Sequence, residues 1–258
     1  MSNKICVLSG RYPASKFDSY VNHKIYCDIH GYTYINCNWP TKAVNRYMNK
    51  VEYIKSYYGL FDYIFWIDDD AFFIDMEKNL DCFLPTGNDF LSICASPSYK
   101  KIHTYVSSGQ FVLRCSDMGR RFVDAIPCVD LMLVKNWWNA SLGYFSNGDQ
   151  DAMVYLLKEN LEFKQHFRRW HYKNFNSRAD EIYESGSTEG IFILHFTGTP
   201  EKKQEDYANV QKILKRSPSL VAEALECAYS LVVRKENILK RLMNFFLRGI
   251  LIIKDGAR

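Results

Sequence analysis

Residues 62–74 read Asp62-Tyr-Ile-Phe-Trp-Ile-Asp68-Asp69-Asp70-Ala71-Phe-Phe-Ile74. The stretch up to Ile67 is rich in β-branched and aromatic residues, the composition of a buried strand. It runs straight into three consecutive aspartates, and apolar residues resume at once. Carboxylates so close repel and raise one another's pKa. A bound divalent cation removes that penalty, and hard Mg²⁺ or Mn²⁺ takes oxygen ligands that it shares with substrate phosphates. In an extended strand, positions i and i+2 face the same way. The pattern therefore predicts that Asp68 and Asp70 meet one metal while Asp69 turns toward ribose or sugar hydroxyls. A solvated acidic turn would explain an ordinary Asp-x-Asp, but such a turn rarely sits between two apolar runs.

Outward from this motif, the chain alternates strands and helices, which indicates an α/β fold. Strand patterns fall at 4–8, 33–37, 62–67, 90–95, 109–114 and 191–196. Helical spacing marks 15–30, with Gly31 as its terminator, then 43–58, 117–126 stopped by Pro127, and 149–158. The last strand pattern ends at His195, in Gly190-Ile-Phe-Ile-Leu-His195-Phe-Thr-Gly198. A lone imidazole there is more often a satisfied core group, yet it would complete an Asp/Asp/His set suited to Mn²⁺. Ser9 and Gly10 follow the first strand, where the first strand-to-helix turn of such sheets meets a nucleotide.

Composition narrows the class. The chain has 258 residues, 47% hydrophobic and 24% charged, enough for one large core without disulfide staples. Its 16% aromatic share suits a cleft for sugars and bases, or an aromatic-rich core. Seven Lys/Arg against two acids between Arg234 and Arg258 exceed the whole net charge of +4, so the rest of the chain is near neutral and no basic face argues for nucleic acid. The eight cysteines include no Cys-x-x-Cys pair and sit mostly in apolar runs, as in a reducing compartment. The chain enters its first strand at once, so a cytoplasmic location is expected.

Six segments together resemble glycosyltransferase family 34, the α-galactosyl-, α-mannosyl- and xyloglucan α-xylosyltransferases. They are Asn22-His-Lys-Ile-Tyr-Cys-Asp-Ile-His-Gly31-Tyr32, Lys50 in Tyr47-Met-Asn-Lys50, Trp66-Ile-Asp-Asp-Asp70-Ala71, Ser108-Gly109-Gln-Phe-Val-Leu-Arg114, Gly148-Asp149-Gln150-Asp-Ala152 and His195-Phe-Thr-Gly198. The resemblance spans about residues 4–202. It implies a GT-A, Rossmann-like fold with a mixed, mostly parallel central sheet, and a retaining transfer from a nucleotide-sugar, most readily a UDP-hexose with galactose first. It implies Mn²⁺ or Mg²⁺ on Asp68, Asp70 and His195. Donor contacts are expected at Ser9, Gly10, Asn22, Lys50, Asp68, Asp69, Ser108, Gly109, Gly198 and Lys202, with Lys203 as the other candidate for the diphosphate. Asp149 and Gln150 are implied beside the sugar and acceptor as the catalytic pair. Same-face attack by the acceptor hydroxyl and a covalent intermediate on Asp149 both stay open. The chain departs from the family pattern at Asp69, where a small residue is usual, at Gly148, and in the late placing of Lys202 and Lys203.

The expected domains are a catalytic 1–216 and a tail, 217–258. From Ile238 the tail sets apolar residues on one side and Lys240, Arg241, Asn244 and Arg248 on the other, a basic amphipathic helix. It reads as an interfacial anchor on the inner face of a membrane, near a glycan or glycolipid acceptor of surface polysaccharide synthesis; the competing reading packs it on protein. A two-metal phosphohydrolase lacks its further acids here. A non-catalytic glycan- or nucleotide-sugar-binding protein on a decayed transferase fold remains the alternative.

Overall fold

The central sheet forms because its inner strands are apolar on both faces, as strands sandwiched between helices must be. A computed structural model describes residues 3–14, 16–97 and 103–230. Strands β1 (Ile5–Gly10), β2 (Thr33–Cys37), β3 (Tyr63–Ile67), β5 (Leu91–Cys94), β6 (Gln110–Arg114) and β7 (Phe167–Trp170) make a six-stranded sheet in the order β2-β1-β3-β6-β5-β7. All run parallel except β6, which is antiparallel to both neighbours. The expected mixed, mostly parallel GT-A sheet is present.

Alternation along the strands separates two cores. Cys6, Leu8, Ile64, Trp66, Phe111 and Leu113 face α2 (Asn49–Tyr57), α3 (Asp117–Ala125) and α5 (Asp149–Glu159). Ile5, Val7, Phe65, Ile67 and Val112 face Tyr26 and Cys27 of α1 (Ser19–His30), with Phe73, Phe83, Phe175 and Phe192. A second, two-stranded sheet pairs β4 (Ala71–Phe73) with β8 (Ile193–His195), antiparallel. A third cluster joins Phe17, Phe72, Leu194, Phe196, Tyr207 and Leu220 around it, under α6 (Ala179–Ser185) and α7 (Pro200–Leu214).

Helix α1 ends where Gly31 takes φ +70° and donates its N–H to Cys27 O, a left-handed cap that glycine adopts without strain. The helix expected at 43–58 is shorter. Asn45 Oδ1 accepts the Tyr47 N–H at 3.0 Å and caps a 3-10 turn, Arg46–Met48, so α2 begins only at Asn49. The sequence pattern did not mark β4, β7, α4 (Leu131–Trp137), α6 or α7.

The chain divides into two units, Met1–Leu220 and Val221–Arg258. In the second, residues 223–230 are helical. The basic amphipathic stretch from Ile238 lies outside the described residues. Among the described residues, no helix is long and apolar enough to cross a membrane.

Candidate metal centre and donor site

Strand β3 stops at Ile67, opposite Gln110. Asp68 N–H still donates to Gly109 O at 2.8 Å, and Ala71 N–H donates back to Asp68 O at 3.1 Å. The three aspartates thus occupy a tight turn between β3 and β4, not the extended strand from which strand periodicity argued. The turn, not the i, i+2 rule, brings Asp68 and Asp70 to one side. Pairing of β4 with β8 sets Ala71 opposite His195, and Phe196 N–H donates to Asp70 O at 2.9 Å. Two segments far apart in sequence meet in this way. One ligand atom from each of Asp68, Asp70 and His195 lies within 4.8 Å of the others.

The chemistry of this trio fits a divalent cation. Asp70 is 3% exposed and its Oδ1 has no hydrogen-bond partner, although His195 Nε2 stands 3.1 Å away. A buried carboxylate oxygen without a partner is costly. Two oxygens and an imidazole nitrogen are a donor set that Mn²⁺ accepts. Burial alone would lift the Asp70 carboxyl, but His195 and the Lys203 ammonium hold it below the usual carboxylate range. Burial pushes the His195 imidazole down against the pull of Asp70, which favours the neutral form that ligates metals. Gly109 closes the cradle: a Cβ there would come 2.5 Å from His195 Cε1 and 3.2 Å from Asp68 Oδ2.

Lys50 ties this centre to the second carboxylate site. Its ammonium lies 3.2 Å from Asp68 Oδ1 and 3.0 Å from Asp149 Oδ2, and it donates to Ser108 O at 2.7 Å. Burial would lower its pKa, but Asp149 and Asp68 together hold it above the ordinary lysine value. Asp149, buried, opens α5, and Gln150 Oε1 accepts from Ser108 N–H at 3.3 Å. The structure therefore gathers Lys50, Asp68, Asp70, Ser108, Gly109, Asp149, Gln150 and His195.

The other expected residues are placed separately. Ser9 and Gly10 end β1 beside β2, where a Cβ on Gly10 would lie 2.5 Å from Cys37 O. Asp69 is held by Arg11 Nη1 at 3.4 Å, and its carbonyl accepts from Ser19 Oγ at 2.7 Å. Gly198 turns the chain out of β8 at φ +110°. Asn22 does not join the cluster. Its Nδ2 donates to Phe73 O (2.8 Å) and Ser219 O (3.0 Å) while its Oδ1 accepts from Phe73 N–H (2.8 Å). Lys202 turns to Asp206, 2.7 and 2.9 Å away, whereas Lys203 bonds Asp70 Oδ2. The phase of α7 makes that choice. Sequence reasoning missed Asn176 and Arg178, which back His195: Asn176 Oδ1 lies 3.0 Å from His195 Nδ1. No periodic pattern marks the segment that carries them.

Solved structures share this architecture. A glycosyltransferase involved in glycosylation of the major capsid of PBCV-1 superposes with a TM-score of 0.55 at 13% identity, covering 79% of this chain and 98% of its own. The fold is that of the GT-A glycosyltransferases. The apo form of the glycosyltransferase GlyE of Streptococcus pneumoniae TIGR4 superposes with a TM-score of 0.53 at 12% identity over 89% of this chain; the chain spans 64% of GlyE. No protein-family model matches the chain, and no curated protein matches it in sequence.

Proposed function

We propose that this chain is a metal-dependent, retaining glycosyltransferase of the family 34 kind. It moves a hexose, galactose first, from a UDP-sugar to a hydroxyl of a glycan or glycolipid acceptor. The observation that carries the reading is the convergence of Asp68, Asp70 and His195 in a glycosyltransferase fold, with Asp70 Oδ1 buried 3.1 Å from His195 Nε2. Mn²⁺ or Mg²⁺ bound there supplies Lewis acidity to the leaving diphosphate. Lys203, already at Asp70, is the cation placed to follow the diphosphate, in preference to Lys202. Lys50 bridges Asp149 and Asp68. Asp149 and Gln150 orient the transferred sugar and the acceptor hydroxyl. Ser9, Gly10 and Arg11 line the nucleotide side.

The test is release of free nucleotide from a panel of UDP- and GDP-sugars with and without Mn²⁺. Slow Mn²⁺-dependent hydrolysis of one donor, lost in Asp70→Asn, supports the reading and names the sugar. Glycan binding without Mn²⁺-dependent turnover of any donor would replace it with the non-catalytic reading.

A further inference from the structure

We infer that Asn176 is a positioning residue for the metal centre, fixing the tautomer of His195 so that Nε2 presents its lone pair to the cation. The inference rests on the metal-dependent reading above.

The tautomer follows from the hydrogen bonds around Asn176. That residue is fully buried. Arg178 Nη1 donates to its Oδ1 at 2.6 Å and to its main-chain O at 2.8 Å. A guanidinium carries donors and no acceptor, so the atom facing it must be the amide oxygen. On the other side Asn176 Nδ2 donates to Ala95 O at 3.1 Å, which fixes the same orientation. The oxygen thus oriented also stands 3.0 Å from His195 Nδ1. Arg178 Nη1 lies 3.5 Å from the same ring nitrogen, outside the usual range of about 2.7–3.2 Å for an N–H hydrogen bond, so the closer oxygen acceptor sets the ring proton on Nδ1. With that proton on Nδ1, Nε2 is the nitrogen free to give a lone pair to a cation. Nε2 faces Asp70 Oδ1 at 3.1 Å, and that oxygen has no hydrogen-bond partner. Two acceptors directed at one another are what a shared cation resolves.

The main chain holds this arm in register. Asn176 N–H donates to Tyr172 O at 2.7 Å, Ser177 N–H donates to Ile193 O at 3.0 Å, and His195 N–H donates to Ser177 O at 2.9 Å. The segment that carries Asn176 is therefore stitched to β8, the strand that carries the ligand.

The first measurement is ¹⁵N-histidine NMR of the wild-type protein. It is expected to show His195 with a protonated Nδ1; a neutral ring with its proton on Nε2 and a bare Nδ1 overturns the inference. The second is Mn²⁺ affinity, read from the free-ion EPR signal during titration. Asn176→Ala should weaken Mn²⁺ by about 10- to 100-fold, the usual effect of removing a partner behind a metal-bound histidine. Asn176→Asp, whose carboxylate accepts the same N–H, should restore the affinity to within about threefold of wild type. Equal Mn²⁺ affinity in wild type and folded Asn176→Ala would leave Asn176 a purely structural residue and reject the proposal. Absence of Mn²⁺ binding in the wild type rejects the metal-dependent reading itself, and the NMR result distinguishes the two failures.

Discussion

Along β4, helix α1 presents Asn22 and His23 to the main chain; immediately before β4, Asp70 meets His195 and Lys203. Both clusters are buried and polar, and they are built in opposite ways. Asn22 bonds Phe73 N–H and O and Ser219 O, and His23 Nε2–H donates to Ala71 O at 2.8 Å. All three of those partners of Asn22 are main-chain groups, so the pair behaves as mortar between helix and strand. By contrast, Asp70 Oδ1 is buried against His195 Nε2 at 3.1 Å and Asp149 Oδ2 against the Lys50 ammonium at 3.0 Å, so these carboxylates meet charged or ligating side chains and not the main chain. A folded chain tolerates such groups where something else completes them. On the proposed reading, the contrast separates residues that hold the fold from residues that hold a ligand, although the sequence presents both as polar groups in apolar surroundings.

The sharpest way to break this contrast is to alter each side and read both stability and turnover. Asp70→Asn should lower Mn²⁺-dependent donor hydrolysis by about 10²- to 10³-fold, measured as nucleotide release at saturating donor. Its melting temperature should change little, because Lys203 is partly exposed and can turn to water. Asn22→Ala should do the reverse. It removes three buried hydrogen bonds and orphans the Phe73 amide, costing about 3 kcal/mol in urea unfolding, while kcat of the folded fraction stays near wild type.

Acid sharpens the same side of the comparison. Burial pushes the His23 pKa from its ordinary 6.5 down to about 4. The unfolded chain takes up this proton near pH 6.5 and the folded chain only near 4. The contribution of His23 is thus full above pH 6.5, is lost as pH falls through that window, and levels off below it. The loss amounts to about 3 kcal/mol at most. His23→Gln, which keeps an N–H donor for Ala71 O, should flatten this limb of the stability–pH curve without moving the Mn²⁺ dependence. The smallest effect separates two adjacent lysines: Lys203→Ala should raise the donor KM about tenfold, and Lys202→Ala less than about twofold, since Lys202 is turned to Asp206 and not to Asp70.

The α/β alternation, the strands ending at the aspartates and at His195, and the opening of α5 at Asp149 were legible because runs of apolar residues and helical spacing record them directly. The cluster itself was legible through Asp68 and Asp70, carboxylates between two apolar runs, through His195 as the residue that would complete their donor set, and through Asp149 and Gln150 by the family resemblance alone. Other features were not. Strand β4 has three residues, too few for a period, and edge strand β7 is Phe-Arg-Arg-Trp, without an apolar run. The turn at Asp68–Asp70 replaced the strand geometry because Ala71 N–H closes back on Asp68 O. Asn22 was expected at the donor through the family resemblance, and a buried asparagine serving main-chain groups has no sequence signature of its own to say otherwise. The choice of Lys203 over Lys202 depends on helix phase, one residue of which rotates a side chain by roughly 100°.

The central claim is that Asp68, Asp70 and His195 hold a cation through which the donor's diphosphate is bound. Calorimetric titration of UDP into the protein, with and without Mn²⁺, tests it most directly. The account predicts Mn²⁺-dependent UDP binding that disappears in Asp70→Asn while the fold, judged by its melting transition, persists. UDP binding of equal strength with and without Mn²⁺, unchanged by Asp70→Asn, would contradict it.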